Sequence, residues 1–207
     1  TRHFLVGAEY KAAMGLLAYA PRLVPSLFAA AAIGSTALVS RSVGEQDALG
    51  AARATKQALL FGCGLAAAVA ISGMLLGRPF IAAMQLRGEA AELAWQYLAI
   101  VVPFAPAIAA QQVVAASLRG AGDTVSGMLA QAAVNAVNMT LGPALVTGWW
   151  IFPQLGWCGL AIGTAAGYAF AAAVLLARLF RRRSAVRMKL ATGWRGEPEM
   201  IKRLLRI

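Results

Sequence analysis

The chain has 207 residues, 60% of them hydrophobic and 13% charged, a mean hydropathy of +0.67 and a net charge of +11. That is too apolar for a water-soluble domain of this size. Ten Lys or Arg and two Glu between Arg178 and Arg206 supply +8 of the charge; they adjoin a hydrophobic span without interleaved aromatics, which sets nucleic acid aside and favours anionic lipid headgroups as partners of the tail.

Charged residues divide the chain into five apolar blocks, about 12–40, 57–77, 93–118, 125–150 and 156–177. A hydrocarbon layer of about 30 Å needs roughly 20 apolar residues as helix, so each block is long enough to cross. The expected fold is an all-α polytopic membrane protein, with residues 1–180 a transmembrane lobe. In the first block Arg22 stands beside Pro21 and close to Pro25, which predicts a kink and an arginine buried against protein or snorkelling outward. The third carries Pro103 and Pro106, and the fourth Pro143. Residues 124–177 hold no charged side chain and accommodate two crossings, with a turn at Trp149-Trp150-Ile151-Phe152-Pro153 and Gly156. After the fifth block, residues 181–207 read as a basic cytoplasmic linker in which a short interfacial helix opens at Pro198.

Basic residues give the orientation. With the tail inside, the connections 41–56 and 119–123 are also inside, and 14 bases face the cytoplasm against four (Arg2, Lys11, Arg78 and Arg87) on the other side. Both inner connections follow one scheme: Arg41, Gly44 and Asp47 in the first, Arg119, Gly120, Gly122 and Asp123 in the second. Glycine suits the turn, and the aspartate suits the start of the next helix, where its carboxylate can accept from free backbone N–H groups. The echo is consistent with an internal repeat.

No enzyme site is expected. His3 is the single histidine, no carboxylate lies within the five blocks, and Cys63 and Cys158 lack metal-ligand spacing, so neither a catalytic residue, a metal nor a cofactor is assigned. The spans do carry a polar stripe. Gln131, Asn135, Asn138 and Gly142 fall at i, i+4, i+7 and i+11, on one side of the fourth block, and amides facing lipid are costly, so this side is expected to face the bundle interior or a wet cavity. Gly159, Gly163 and Gly167 at four-residue steps predict a close helix crossing in the fifth block, with Thr164 the polar group that meets Asn138.

Four segments carry a family resemblance: Ala37-Leu-Val-Ser-Arg-Ser-Val-Gly44-Glu-Gln-Asp47, Ser117-Leu-Arg-Gly-Ala-Gly-Asp-Thr124, Asn135-Ala-Val-Asn138-Met-Thr-Leu-Gly-Pro143 and Leu155-Gly-Trp-Cys-Gly-Leu-Ala-Ile-Gly-Thr164. In order and spacing they resemble the N-terminal lobe of a multidrug and toxic compound extrusion (MATE) transporter, most closely the DNA-damage-inducible F type. The resemblance implies twelve helices in two lobes, the five blocks here corresponding to helices 2–6, and export of organic cations or drugs in exchange for H⁺ or Na⁺ across a bacterial inner membrane. It implies a fragment that lacks helix one and the second lobe. It also implies that Gln131, Asn135, Asn138 and Thr164 line the substrate or ion cavity. The family often has Asn-x-x-Leu-Asp-Pro where this chain has Asn138-Met-Thr-Leu-Gly142-Pro143, so Gly142 marks a vacant coupling position. Two other readings stay open. A lipid-linked precursor flippase of the same superfamily would place several cations in its cavity, where only Arg22 is available; a non-transporting remnant or interaction module is favoured by the vacancy at Gly142.

Overall fold

The computed structural model describes Ser26 and residues 28–84, 86–149 and 153–180, and all secondary structure among them is helical. The reading of the basic linker and its interfacial helix, and of Arg22, falls outside the described residues. Helix α1 covers 28–44, α2 Ala48–Ala83, α3 Glu89–Val101, α4 Ala105–Gly120, α5 Thr124–Thr147 and α6 Trp157–Phe180. A 3₁₀ turn, Val102–Phe104, joins α3 to α4. It falls at Pro103, which has no N–H to continue an α-helical ladder, so the third crossing is a broken helix. Among the described residues, four segments are long and apolar enough to span a bilayer: Ala48–Ala83, Glu89–Gly120, Thr124–Thr147 and Trp157–Phe180.

Two helices start on side-chain caps. Asp47 accepts from the Gly50 N–H at 2.8 Å and opens α2, and Asp123 accepts from the Ser126 N–H at 3.1 Å and opens α5. Gly44 is not the residue that turns the first connection. It lies in α1, and the left-handed backbone belongs to Gln46 (φ 58°), while Gly122 (φ 89°) fills that place in the second. Gly120 ends α4 for a steric reason, because a Cβ there would stand 2.7 Å from the Thr36 carbonyl oxygen.

α4 is the central helix. Eleven of its 16 residues are buried, against 11 of 36 in α2, and it packs on α2, α5 and α6. The larger core cluster joins Val39, Ala58, Val113, Leu118, Val134, Leu175 and Leu179, and the second joins Phe28, Ala66, Tyr97, Ile108 and Ala161. Alanine dominates both, and small side chains let helix backbones approach where lipid offers no hydrophobic drive. The second half of α2 is apolar yet exposed, with Ile71 62%, Leu75 72% and Leu76 60% accessible, as a lipid-facing surface requires. Both short connections lie at one end of the bundle: Gly120 abuts Thr36 and Val39 of α1, and Arg178 near the end of α6 pairs with Asp123 at 3.3 Å. At the opposite end the Trp157 indole donates to the Leu93 carbonyl at 3.2 Å.

Candidate functional site

A close helix–helix contact between α5 and α6 holds the site. α6 lays its glycine stripe along α5: a Cβ on Gly159 would meet the Leu145 backbone at 2.8 Å, one on Gly163 the Gly142 backbone at 2.9 Å, and one on Gly167 the Val134 carbonyl oxygen at 2.9 Å. Removing three side chains from one helix face lets the backbones touch, and short polar side chains on flanking turns then reach across. Asn138 of α5 donates from Nδ2 to Thr164 Oγ1 at 2.7 Å, and Thr164 donates its own proton to the Leu160 carbonyl at 3.0 Å. With that proton used, the Thr164 oxygen is an acceptor, and the Tyr97 side chain of α3 faces it. Tyr97 is 5% exposed, and Tyr168, one turn beyond Thr164, is its neighbour. Three helices thus meet at one hydroxyl.

The rest of the stripe is not buried within the lobe. Asn138 is half-buried between α5 and α6, while Gln131 and Asn135 are exposed. α5 packs on α6 and α4, and these two helices cover only part of its circumference, so residues one and two turns before Asn138 emerge on an uncovered face. Gln131 still touches the lobe, because its Oε1 lies 3.5 Å from Gln111 Nε2; Gln111 itself is 1% exposed and its Oε1 has no hydrogen-bond partner among the described residues. Gly142 is buried, with room for a Cβ: it would lie 3.7 Å from Leu160 Cδ2 and 3.9 Å from Asn138 Oδ1, ordinary contact distances.

Tyr97, Tyr168 and Gln111 are further polar side chains packed near these helices and lie outside the set that the sequence pattern marks. Gln111 is an amide in an apolar block but lies off the stripe whose spacing marks Gln131, Asn135 and Asn138; the tyrosines carry no spacing that ties them to α6.

The capping residues form a separate structural set at the short-connection end. Arg41 Nε binds Glu45 Oε1 at 2.9 Å on the surface, and Arg119 is exposed. Asp123 accepts from the Ser126 hydroxyl at 2.6 Å as well as its N–H, and these bonds, with Arg178, hold its carboxyl below the usual carboxylate range against the opposing effect of burial. Among the described residues no group of three or more His, Cys, Asp or Glu is placed to hold a metal ion.

This lobe has known counterparts. It superimposes on an inward-facing multidrug resistance MATE family transporter of the MOP superfamily with a TM-score of 0.88 and on an outward-facing one with 0.85, at 26% identity in both, covering 97% and 98% of this chain and 45% and 44% of theirs. A curated relative, the probable multidrug resistance protein NorM of Thermotoga maritima, is 29% identical over 119 residues, which is 56% of this chain and 26% of that protein. The chain therefore spans under half the length of the relatives it matches. The MatE family model covers residues 3–144, and the chain belongs to that family of integral membrane transporters.

Proposed function

We propose that the chain forms most of one lobe, the N-terminal one, of a secondary active exporter of drugs or organic cations, working by alternating access in exchange for H⁺ or Na⁺. The observation that carries this reading is the Asn138–Thr164 hydrogen bond, with Tyr97 beside it: a polar group at the meeting of three helices, adjoining an uncovered face that bears Gln131 and Asn135. An opposing lobe would close that face into a cavity. The nearly equal match to inward-facing and outward-facing structures supports a lobe that moves as a rigid body. The distribution of bases supports a cytoplasmic location for both short connections and the tail, in a bacterial inner membrane.

Coupling requires a group whose charge or coordination changes when the ion binds, and amides do not titrate near neutral pH. In the whole transporter this group would come from outside the present spans, and Gly142 is the place within them where it could be restored. Drug efflux by the intact parent carrying Gly142→Asp is expected to gain or change pH or Na⁺ dependence, since the new carboxylate would stand beside Asn138. Unchanged ion dependence in a well-expressed variant would refute the vacant-coupling reading. Thr164→Val, which removes the acceptor of the half-buried Asn138 amide, is expected to lower efflux about tenfold. An intact parent without efflux activity would support the non-transporting reading instead.

A further inference from the structure

We propose that the cleft between the end of α2 and the start of α3 is a phospholipid headgroup site selective for phosphatidylethanolamine, separate from the Asn138 cluster. The cleft holds an open pocket of about 170 Å³ lined by residues that include Arg78, Ile81, Leu86, Gly88, Glu92 and Trp95. Its depth in the membrane follows from the sequence: Arg78 is the first charge after the apolar stretch 57–77 and Trp95 stands near the start of the next, so both mark the boundary between hydrocarbon and headgroups. Trp95 is seated firmly. Its ring lies against the Gly77 backbone so closely that a Cβ on Gly77 would fall 2.7 Å from Cζ3. The Arg78 guanidinium lies over the indole at 5.1 Å from the ring centroid, and its terminal nitrogen is 3.8 Å from Glu92 Oε2. At that distance the pair is an ion pair without a hydrogen bond, so guanidinium N–H groups remain to be offered to a further acceptor.

Three features of the cleft select the occupant. A guanidinium matches a phosphodiester geometrically and electrostatically. A carboxylate beside it matches a primary ammonium two carbons from that phosphate, the arrangement in ethanolamine headgroups. Leading from the cavity toward the middle of α2, on the face that bears Arg78, Ile71, Met74 and Leu75 are exposed by 62%, 44% and 72%, an apolar track for acyl chains that a soluble phosphate would not use. Phosphatidylcholine fits less well, because choline has no N–H for Glu92 and the indole face that would receive it is occupied by Arg78. Phosphatidylglycerol leaves Glu92 facing an unneutralised anion.

The test is native mass spectrometry of the intact protein in detergent, delipidated and then titrated with phosphatidylethanolamine, phosphatidylcholine or phosphatidylglycerol of identical acyl composition. The wild type is expected to retain the ethanolamine lipid about tenfold more than the choline lipid, and Arg78→Gln to lose about that factor for the ethanolamine lipid. Glu92→Gln is expected to bring the ethanolamine and choline lipids to parity while retaining both. Soluble glycerophosphoethanolamine should fail to displace the bound lipid. Equal retention by wild type and Arg78→Gln overturns the site, and displacement by the soluble headgroup overturns its assignment to lipid. Should Arg78→Gln fail to fold, Glu92→Gln decides the matter, since it leaves the guanidinium–indole contact intact; an unchanged ethanolamine-to-choline ratio there overturns the proposal.

Discussion

The connections 45–47 and 121–123 follow the same backbone path with different side chains. Glu45 N–H reaches the Arg41 carbonyl as Ala121 N–H reaches that of Ser117, Gln46 bonds Val43 as Gly122 bonds Arg119, and Asp47 bonds Ser42 as Asp123 bonds Leu118, the last pair both at 2.8 Å. Each has a left-handed residue followed by a capping aspartate with φ near −89°. This register puts Gly44 on Gly120 and Asp47 on Asp123, but it puts Arg41 on Ser117, so the two arginines of the sequence echo are not equivalent. The surroundings diverge further. Gly44 has nothing within 4 Å of a built Cβ whereas Gly120 is pressed on Thr36, and Asp47 is exposed whereas Asp123 holds Ser126 and Arg178. A left-handed residue and a cap suffice to make the turn; contacts with other helices decide how much rests on it.

The largest test of this comparison is all-or-none. In a background without Cys63 and Cys158, single cysteines replacing Glu45 and Thr124 should both be shielded from an impermeant thiol reagent in sealed cells, while one replacing Met84 reacts. Labelling of one connection and not the other would separate them. Next in size, Gly120→Ala should cost about 1–3 kcal/mol by forcing a Cβ on the α1 backbone, while Gly44→Ala should be neutral or stabilise by up to about 1 kcal/mol. Thermal unfolding in detergent would read both, and equal shifts would show that the crowding at Gly120 is relieved at no cost. At the left-handed position the signs should be opposite: Gly122→Ala loses about 1 kcal/mol, and Gln46→Gly gains about 0.5 kcal/mol.

The smallest effect separates the caps. Asp123→Ala should destabilise more than Asp47→Ala by about 1 kcal/mol or less, since one extra hydroxyl and a partly exposed ion pair are lost. The folded pKa of Asp123 is depressed, so its stabilising contribution is complete above the unfolded carboxylate value of about 3.9 and disappears as pH falls through the lower folded value. The gap between the two alanine variants should therefore be constant from pH 5 to 8 and close below about pH 4. A gap that persisted at pH 2 would assign it to packing.

Much of the α5–α6 contact was legible because it rests on periodicity. Glycines every four residues point along one helix face whatever that face meets, and an amide seven residues from another must share a side with it. The Asn138–Thr164 bond follows from those two regularities. The depth at which Gln131 and Asn135 lie did not, since the width of a helix face covered by neighbours depends on how many helices pack there. Tyr97 could not be placed either, as nothing local in α3 marks the residue that will lie opposite Thr164. Gln46 was hidden by its neighbour: glycine is the ordinary left-handed residue, and Gly44 two positions earlier drew the assignment, although the hydrogen-bond ladder to Ser42 and Val43 puts the turn at Gln46.

α2 is also a depth gauge. Its exposed Arg53 and Arg78 are 25 residues apart, about 38 Å along the axis at 1.5 Å per residue. That length exceeds a hydrocarbon layer of about 30 Å and fits within the roughly 40–45 Å that includes the headgroups, so both guanidiniums reach polar layers when the helix stands nearly upright. Tilting the lobe shortens the projection of this fixed spacing on the membrane normal and draws one arginine toward the acyl chains. Bilayer thickness is thereby set against lobe angle: thick membranes hold α2 upright and thin ones permit it to lean, so that in an exporter working as proposed the balance between two tilts of the lobe would be a property of the lipid as well as of the protein.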